Sequence, residues 1–373
     1  MASLCKTTSS VMEKLSSLIL SNLHGLSHAQ ALALLQHYGT AEAALADDAP
    51  ESQRWAEMKR DSAALREARE AALREMDYCE TRDIRIVPYS SDDYPRRLRE
   101  EEVTDAPIRL FYKGTGPLNR RHVLSVVGTR QITEYGKQIC ERLFEELAVK
   151  LPDLLVVSGL AYGVDIHAHR AALNGGLDTI GVLAHGLDMI YPRMHEHTAL
   201  EMMLHGGLLT EYSSMTEPDR FKFVRRNRIV AGMSSATLVV ESAASGGALI
   251  TAEYAWNFNR DVLAVPGRIT DPYSAGCNKL IREHKAEAVT SADDILKLLN
   301  WTADYQPACT EPQLFVVYTP EQQQIVDALQ AHDELSVDQL SQHTGLPVSR
   351  INDRQGQSSR RTRAETCCQL SRA

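Results

Sequence analysis

A run of cations stands out in an otherwise acidic chain. The stretch from Arg220 to Ala231 carries five basic residues and no acidic one, whereas the 373-residue protein has a formal net charge of -9. Phe221 and Phe223 are interleaved with these cations. Cations neutralise phosphates and an aromatic face stacks on a base, so this pattern is typical of single-stranded nucleic acid binding. The alternative is a charged helix start whose phenylalanines pack into the core.

Glycine-rich turns form a second group of candidate binding residues, because each follows a predicted strand. Glycine lets the backbone approach a phosphate closely, and a helix N-terminus behind it offers free N–H groups. Arg130 adds a forked donor that suits phosphate. Ligands gather at the carboxyl ends of parallel strands, so together these turns predict an anion-binding rim. Each turn alone is equally explained as ordinary turn chemistry; the turns are Gly128-Thr129-Arg130, Ser158-Gly159, Gly186 and Gly246-Gly247.

Cofactor and metal chemistry find little support in the sequence. Neither the GxGxxG dinucleotide fingerprint nor the GxxxxGK[ST] phosphate loop occurs, so we expect neither NAD nor ATP, and no other cofactor. Asp165 and Glu241 are explained as helix caps. We therefore expect no metal site and no catalytic residues. Four of the 13 histidines form two i,i+2 pairs, and the members of each pair point to different helix faces: His167 with His169 and His195 with His197.

The cysteines and the N-terminus bear on cellular location. The seven cysteines form no CxxC pair and no Cys/His metal spacing, which is typical of reduced cysteines in a cytoplasmic protein. The first residues lack an apolar segment after a basic start, and no apolar run approaches the length of a membrane span. We expect a cytoplasmic protein without membrane contact.

The segments flanking the candidate site are predicted to be helical. Residues 1–80 read as a helical N-terminal domain, in which Gly25 and Gly39 separate helices in a pattern similar to a helix-hairpin-helix unit. One long charged helix is expected over residues 51–76. Beyond a linker at 301–317, a helix-turn-helix pattern predicts a winged-helix-like domain over 318–353 that lacks its last helix and wing. Residues 354–373 read as a disordered or altered tail.

The middle of the chain, residues 84–300, is predicted to be an extended Rossmann-like α/β domain. Short apolar strands alternate there with amphipathic helices, which indicates a parallel sheet buried on both faces. The predicted helices are Gly136–Lys150, Asp165–Asn174, His195–Leu204 and Gly247–Phe258. The predicted strands are Val123–Val127, Leu154–Ser158, Thr179–Leu183, Leu208–Glu211, Thr237–Glu241 and Val262–Val265.

Many ordered motifs in this middle region resemble the DprA/Smf family of DNA-processing proteins. The resemblance implies a homodimeric protein that binds single-stranded DNA, loads the RecA recombinase onto it and supports natural transformation, without catalysis. It extends from about residue 84 to residue 297. The motifs include Val126-Val-Gly-Thr-Arg130, Val157-Ser-Gly-Leu-Ala-Tyr-Gly-Val-Asp165, Gly186-Leu-Asp-Met-Ile-Tyr-Pro192, Arg225-Arg-Asn-Arg-Ile-Val-Ala-Gly232, Ser245-Gly-Gly-Ala-Leu-Ile-Thr-Ala252 and Val265-Pro-Gly267.

The resemblance also implies roles for individual residues. A base would stack on Phe223, and Gly246 and Gly247 would close the rim of the pocket. For Arg226 and Arg228, which flank Asn227 in the same motif, buried pairing with a carboxylate is an equal explanation. Phosphate contacts are implied at Gly128, Thr129, Arg130, Ser158, Gly159 and either Arg220 or Lys222.

Two other functions remain open from the sequence. Rossmann-like phosphoribohydrolases share a glycine pair followed by a glutamate, here Gly246-Gly247 and Glu253, so a nucleoside monophosphate is an alternative ligand. A mononucleotide site does not need Phe223 and its basic run, and this distinguishes the two hypotheses. Duplex binding through the N-terminal hairpin and the C-terminal helices is the third possibility, and those segments carry little positive charge before the final arginines.

Overall fold

The structure is a computed structural model that describes residues 2–47, 52–301 and 337–347, with the single residues 324 and 328. Contacts divide the chain into two units, Met1–Gln306 and Pro307–Ala373. Within the described residues, no helix combines the length and the apolar character that a membrane span requires.

The N-terminal segment is helical, as predicted. Ser27 and Thr40 begin the second and third helices by accepting hydrogen bonds from backbone N–H groups three residues on. The prediction of a single helix over 51–76 is wrong. Asp61 ends one helix and caps the next, because its carboxylate accepts hydrogen bonds from the Ala63 and Ala64 amides at 3.1 and 3.0 Å. The helices are α1 (Ala2–Asn22), α2 (His28–Tyr38), α3 (Ala41–Ala46), α4 (Gln53–Arg60) and α5 (Ser62–Thr81).

Nine strands of the described residues form one sheet in the order β1-β2-β6-β5-β4-β3-β7-β8-β9. The pairs from β6 to β9 along this order are parallel, which confirms the Rossmann-like α/β class. The first two strands, which the apolar runs near Ile86 and Leu110 predict, form an edge whose antiparallel pairing the sequence did not predict. The strands are β1 (Arg85–Pro88), β2 (Arg109–Gly114), β3 (Val123–Val127), β4 (Leu155–Ser158), β5 (Asp178–Leu183), β6 (Gly206–Thr210), β7 (Ala236–Val239), β8 (Asp261–Ala264) and β9 (Glu287–Ala288).

Helices cover both faces of this sheet. Successive strand residues enter opposite cores, since Val126 packs in one cluster with Leu143 whereas Val127 packs in the other with Ile229. Leu18 of α1 belongs to the same cluster as Val127, so the N-terminal helices share a core with the sheet. The helices are α6 (Glu134–Lys150), α7 (Val164–Asn174), α8 (Glu196–Leu204), α9 (Arg220–Gly232), α10 (Gly247–Asn257), α11 (Ala275–Arg282) and α12 (Ala292–Leu298).

The strand order reverses at β3. From β3 the chain adds β4, β5 and β6 on one side and later returns to place β7 on the other. Such a reversal leaves a crevice at the carboxyl ends of the two strands that flank it, where open α/β sheets bind ligands. The turns after β3 and β7 therefore meet at one place.

The second unit is described mainly over residues 337–347. Helix α13 (Val337–Thr344) lies within the segment with the predicted helix-turn-helix pattern, and Gly345 follows it with φ 69°, a left-handed conformation that favours glycine. The remainder of the predicted winged-helix-like domain lies outside the described residues, apart from residues 324 and 328. The predicted linker beyond residue 301 and the tail at 354–373 also lie outside them.

Candidate nucleic-acid interface

A cavity of about 790 Å³ lies at the crevice between β3 and β7. Its wall combines the turns after these two strands with the first turns of α7, α9 and α10. The structure brings nine of the predicted site residues into this wall: Gly128, Thr129, Arg130, Arg220, Phe223, Arg226, Asn227, Gly246 and Gly247.

The turn after β3 is held tightly from two sides. The Thr129 amide donates to the Glu241 carbonyl at 2.7 Å, and the Val164 amide donates to the Thr129 carbonyl at 3.1 Å. A Cβ at Gly128 would lie 2.9 Å from the Glu241 carbonyl oxygen and overlap the Val164 side chain, so this approach requires glycine. The turn is thus fixed while the Arg130 side chain remains exposed at the rim.

Aromatic groups form the opposite wall. Asp219 begins α9 by accepting hydrogen bonds from the Phe221 and Lys222 amides at 2.7 and 3.1 Å. Phe223, one turn into the helix, is half-buried in the wall, whereas Phe221 is 76% exposed outside it. Neither phenylalanine therefore packs into the core. Around the Phe223 ring, the Arg130 guanidinium carbon lies 5.4 Å from its centroid and the Tyr191 ring 5.9 Å from it.

Arg226 places a positive charge in the floor of the cavity. It is buried, and its Nη1 donates to the carbonyls of Gly159, at 2.7 Å, and Val182. Burial raises the pKa of the nearby Asp165 carboxyl above its ordinary value, although Arg226 and the amides of Gly159 and Ala161 act in the opposite direction. The hydrogen bonds of Arg226 go to neutral oxygens, but the Asp165 carboxylate nearby offsets part of its charge and so reduces its attraction for an anion in the cavity.

The N-terminus of α10 closes another side. No side chain caps this 11-residue helix at Gly246, and Gly246 and Gly247 are both exposed. Free amides and the positive end of the helix dipole favour an anion there. The Asn227 amide group donates to the Gly247 carbonyl at 3.4 Å, which links α9 to this rim.

Two predicted phosphate contacts lie beneath the wall. Ser158 is fully buried, and its hydroxyl donates to the Val126 carbonyl at 2.6 Å. Gly159 is buried as well, since its amide donates to Asp165 at 3.1 Å and its carbonyl accepts from Arg226. The prediction of phosphate contacts at these two residues is therefore corrected. Both are left out of the set of proposed DNA contacts, because their polar atoms already form hydrogen bonds with other protein groups.

Two predicted cations also point elsewhere. Lys222 Nζ lies 2.7 Å from the Glu217 carbonyl and 3.1 Å from Asp219, which holds it on the helix start. Arg228 is 1% exposed and donates to Asp105 at 2.8 Å and to Glu211 at 2.7 Å. Burial lowers the pKa of Arg228, but Glu211 and Asp105 raise it more, so this pKa lies above its ordinary value. Of the two explanations open for Arg228, buried pairing is correct, and both cations leave the contact set.

Tyr191 and Asp219 are wall residues that the sequence did not single out. Tyr191 lies within the motif Gly186–Pro192, so an aromatic residue in a turn after a strand was the available signal. Asp219 stands directly before the basic run and so has the position of a helix cap. The Asp219 carboxylate accepts a hydrogen bond from the Phe221 amide at the start of α9 and forms an ion pair with Lys222.

The glutamate on which the hydrolase alternative depends does not line this cavity. Glu253 is exposed and lies outside the wall, in a separate hollow beside Trp256 and Lys279. Glu241 is buried and accepts hydrogen bonds from the Thr133 amide at 2.9 Å and from its hydroxyl at 2.5 Å. Among the residues the structure describes, no three His, Cys, Asp or Glu side chains group around a possible metal position.

Comparisons with known proteins identify the family of this chain. A family model described as DNA recombination-mediator protein A matches residues 85–300. The DNA processing protein DprA of Bacillus subtilis is 41% identical over 217 residues, which cover 58% of this chain and 71% of that protein.

Two solved structures are similar as well. The X-ray structure of DprA from Streptococcus pneumoniae matches with a TM-score of 0.63 and 32% identity, covering 77% of this chain and 96% of that one. A structure of DNA processing protein A from Helicobacter pylori, which concerns the single-stranded DNA binding mode of that protein, matches with a TM-score of 0.53 and 26% identity. It covers 60% of this chain and 97% of the other.

Proposed function

The chain belongs to the DNA recombination-mediator protein A family, and from this premise we propose that it binds single-stranded DNA in the cavity between β3 and β7. The observation that carries the proposal is the half-buried Phe223 ring in the cavity wall, with the exposed Arg130 guanidinium over the ring and its carbon 5.4 Å from the ring centroid. A stacking surface next to a cation matches the alternation of base and phosphate along one strand. The relative from Helicobacter pylori, whose structure concerns binding of single-stranded DNA, supports the same ligand class.

The wall divides into two kinds of subsite. Phosphates contact Arg130, the backbone of Gly128 and Thr129, and the free end of α10 at Gly246 and Gly247. A base stacks on Phe223, with Arg226 and Asn227 in the floor and Arg220 at the outer edge. A duplex keeps its bases paired and stacked inside, so this arrangement favours a single strand.

We propose further that the protein acts by binding rather than by turnover. Bound as a homodimer to single-stranded DNA in the cytoplasm, it loads RecA there and supports recombination of DNA taken up in natural transformation. The family resemblance supports this role. The position of Glu253 outside the wall weighs against the nucleotide hydrolase alternative.

Replacement of Phe223 tests the binding proposal. Phe223→Ala removes the stacking surface, so it should weaken single-stranded DNA binding by about 1–3 kcal/mol. Phe221→Ala is the matched control, because that ring lies on the same helix but outside the wall. Fluorescence anisotropy of a labelled oligonucleotide measures both affinities. Equal losses in the two variants, or none in Phe223→Ala, would contradict the site.

RecA assembly on DNA covered by a single-strand-binding protein tests the loading proposal. RecA hydrolyses ATP when it assembles on DNA, so addition of this protein should shorten the lag before hydrolysis. Phe223→Ala should lose most of that effect. An unchanged lag at concentrations that saturate the DNA would contradict RecA loading while leaving DNA binding intact.

A further inference from the structure

The connection between β6 and α9 carries part of the cavity wall. It ends at Pro218 and Asp219, both of which line the cavity, and Arg220 follows at the start of α9. Asp219 fixes that start through its hydrogen bonds to the first amides of the helix. The conformation of this connection therefore determines where α9 begins and, one turn later, where Phe223 lies.

The turn after β5 anchors the connection from one side. The Met215 amide donates to Asp188 Oδ1 at 2.8 Å, and the Gly186 amide donates to the Thr216 carbonyl at 3.0 Å. Both partners belong to the turn that also carries Tyr191. This anchor lies within the α/β part of the chain.

A second anchor comes from the helical N-terminal segment. Glu75 on α5 accepts two hydrogen bonds from Ser214, one from its amide at 2.8 Å and one from its hydroxyl at 2.6 Å. The adjacent Ser213 hydroxyl accepts from Nη2 of the buried Arg109 at 2.9 Å. Burial lowers the pKa of Arg109 to about 10, and the negative charge of Glu75 opposes that effect.

We infer that Glu75 is a positioning residue of the DNA pocket, so that the N-terminal helices set the geometry in which Phe223 meets a base. The inference rests on the proposed function. Without the Glu75 carboxylate, both donors of Ser214 lose their acceptor and Arg109 loses a compensating charge. The anchor at Asp188 and Gly186 and the bonds from Arg109 to Ser213 and from Arg228 to Glu211 then remain, but Ser214 itself is released, and the start of α9 shifts relative to Arg130.

Three variants test this inference by anisotropy with a labelled single-stranded oligonucleotide. Glu75→Ala should weaken binding about tenfold, the effect of losing a charge-assisted hydrogen bond. Glu75→Gln keeps an oxygen that accepts one of the two bonds, so it should recover part of the affinity. Glu70→Ala is the control, since Glu70 is exposed on the same helix and should bind like the unaltered protein.

Hydrogen exchange separates positioning from general loss of stability. In Glu75→Ala, the amides of Ser214, Phe221 and Lys222 should exchange faster, while amides of β3 and β4 keep their protection. Unaltered affinity in Glu75→Ala would overturn the inference and leave the proposed function standing. Equal faster exchange throughout the chain, without recovery in Glu75→Gln, would also overturn it. Absence of binding by the unaltered protein would overturn the proposed function and this inference with it.

Discussion

The individual arginines of α9 and the nearby Arg130 differ in their exposure and in their partners. Arg220 is exposed at the edge of the cavity, Arg226 is buried against backbone carbonyls, and Arg228 is buried in an ion pair with Glu211. Arg130, from the turn after β3, is exposed beside Phe223. An exposed guanidinium can neutralise a phosphate and so release the counterions of that phosphate. A buried guanidinium that is already paired with a carboxylate cannot.

Arg130→Ala should reduce the salt dependence of single-stranded DNA binding. One lost phosphate contact lowers the log–log slope of affinity against salt by about 0.7. Anisotropy titrations at a series of salt concentrations measure this slope. Arg142→Ala is the control, because Arg142 lies exposed on α6 and outside the wall. If the Arg130 variant kept the slope of the control, Arg130 would not contact a phosphate.

His169 should make the stability depend on pH. Burial, with the nearby charges of Arg226 and His195, lowers its pKa from 6.5 to about 3. Below pH 6.5 the unfolded chain binds a proton that the folded protein does not, so stability falls as the pH falls toward 3. At pH 5 this amounts to about 2 kcal/mol relative to neutral pH.

Denaturant unfolding of His169→Asn at pH 7 and pH 5 measures that contribution. Between pH 7 and pH 5, the free energy of unfolding should fall by about 2 kcal/mol less in the variant than in the unaltered protein. His197→Asn, at an exposed position, is the control and should keep the original difference. Identical pH dependence in all three proteins would show that His169 does not titrate in this way.

Helix α9 joins the cavity to the rest of the fold at the element scale. Its first turn carries Arg220 and Phe223, and its last turns bury Ile229 and Val230 in the core shared with the N-terminal helices. Between them Arg228 binds Asp105, which precedes β2, and Glu211, which follows β6. One side chain thereby ties the helix to two strands.

Arg228→Ala should destabilise the fold by about 3–5 kcal/mol, because it leaves Glu211 as a buried charge without its main partner. Arg225→Ala should cost about 0–1 kcal/mol, since Arg225 is 45% exposed and lies 3.8 Å from the same carboxylate. Urea unfolding of both variants makes the comparison. A small loss for Arg228→Ala would mean that the ion pair contributes little to holding α9.

Elements that follow a simple apolar period were predictable from the sequence. Strand β3 has the predicted bounds, and strands β4 to β8 differ from their predicted bounds by one or two residues. Helix α9 was not predicted as an element because two of its buried residues, Arg226 and Arg228, are charged and interrupt the apolar stripe. Asp61 resembled one more charge in a long helix, although its position allows it to act as a cap.

The candidate site was predictable where local chemistry decides it. Glycine turns and an aromatic beside cations are local signals, and Gly128, Arg130 and Phe223 do line the cavity. The environment of Arg228 depends on Asp105, which is 123 residues away in the chain, so no local pattern reveals that pairing. Lys222 differs, because the Glu217 carbonyl that holds it is only five residues away, but a backbone acceptor leaves no signal in the sequence.

The N-terminal helices and the sheet of the first unit share one hydrophobic core. Leu18 and Leu32 from the N-terminal helices share a hydrophobic cluster with Val157 and Val239 of the sheet. Contacts from Glu75 reach the connection that leads to the cavity. Because the chain has a net charge of -9, the proposed DNA binding depends on the local cations of this cavity and not on bulk charge attraction.

Binding of a labelled single-stranded oligonucleotide, followed by anisotropy at two salt concentrations with the matching duplex as competitor, tests the central claim most directly. We expect binding that weakens with salt and that the duplex does not displace. Absence of binding by the folded protein, or equal competition by the duplex, would contradict a single-stranded DNA site at this cavity.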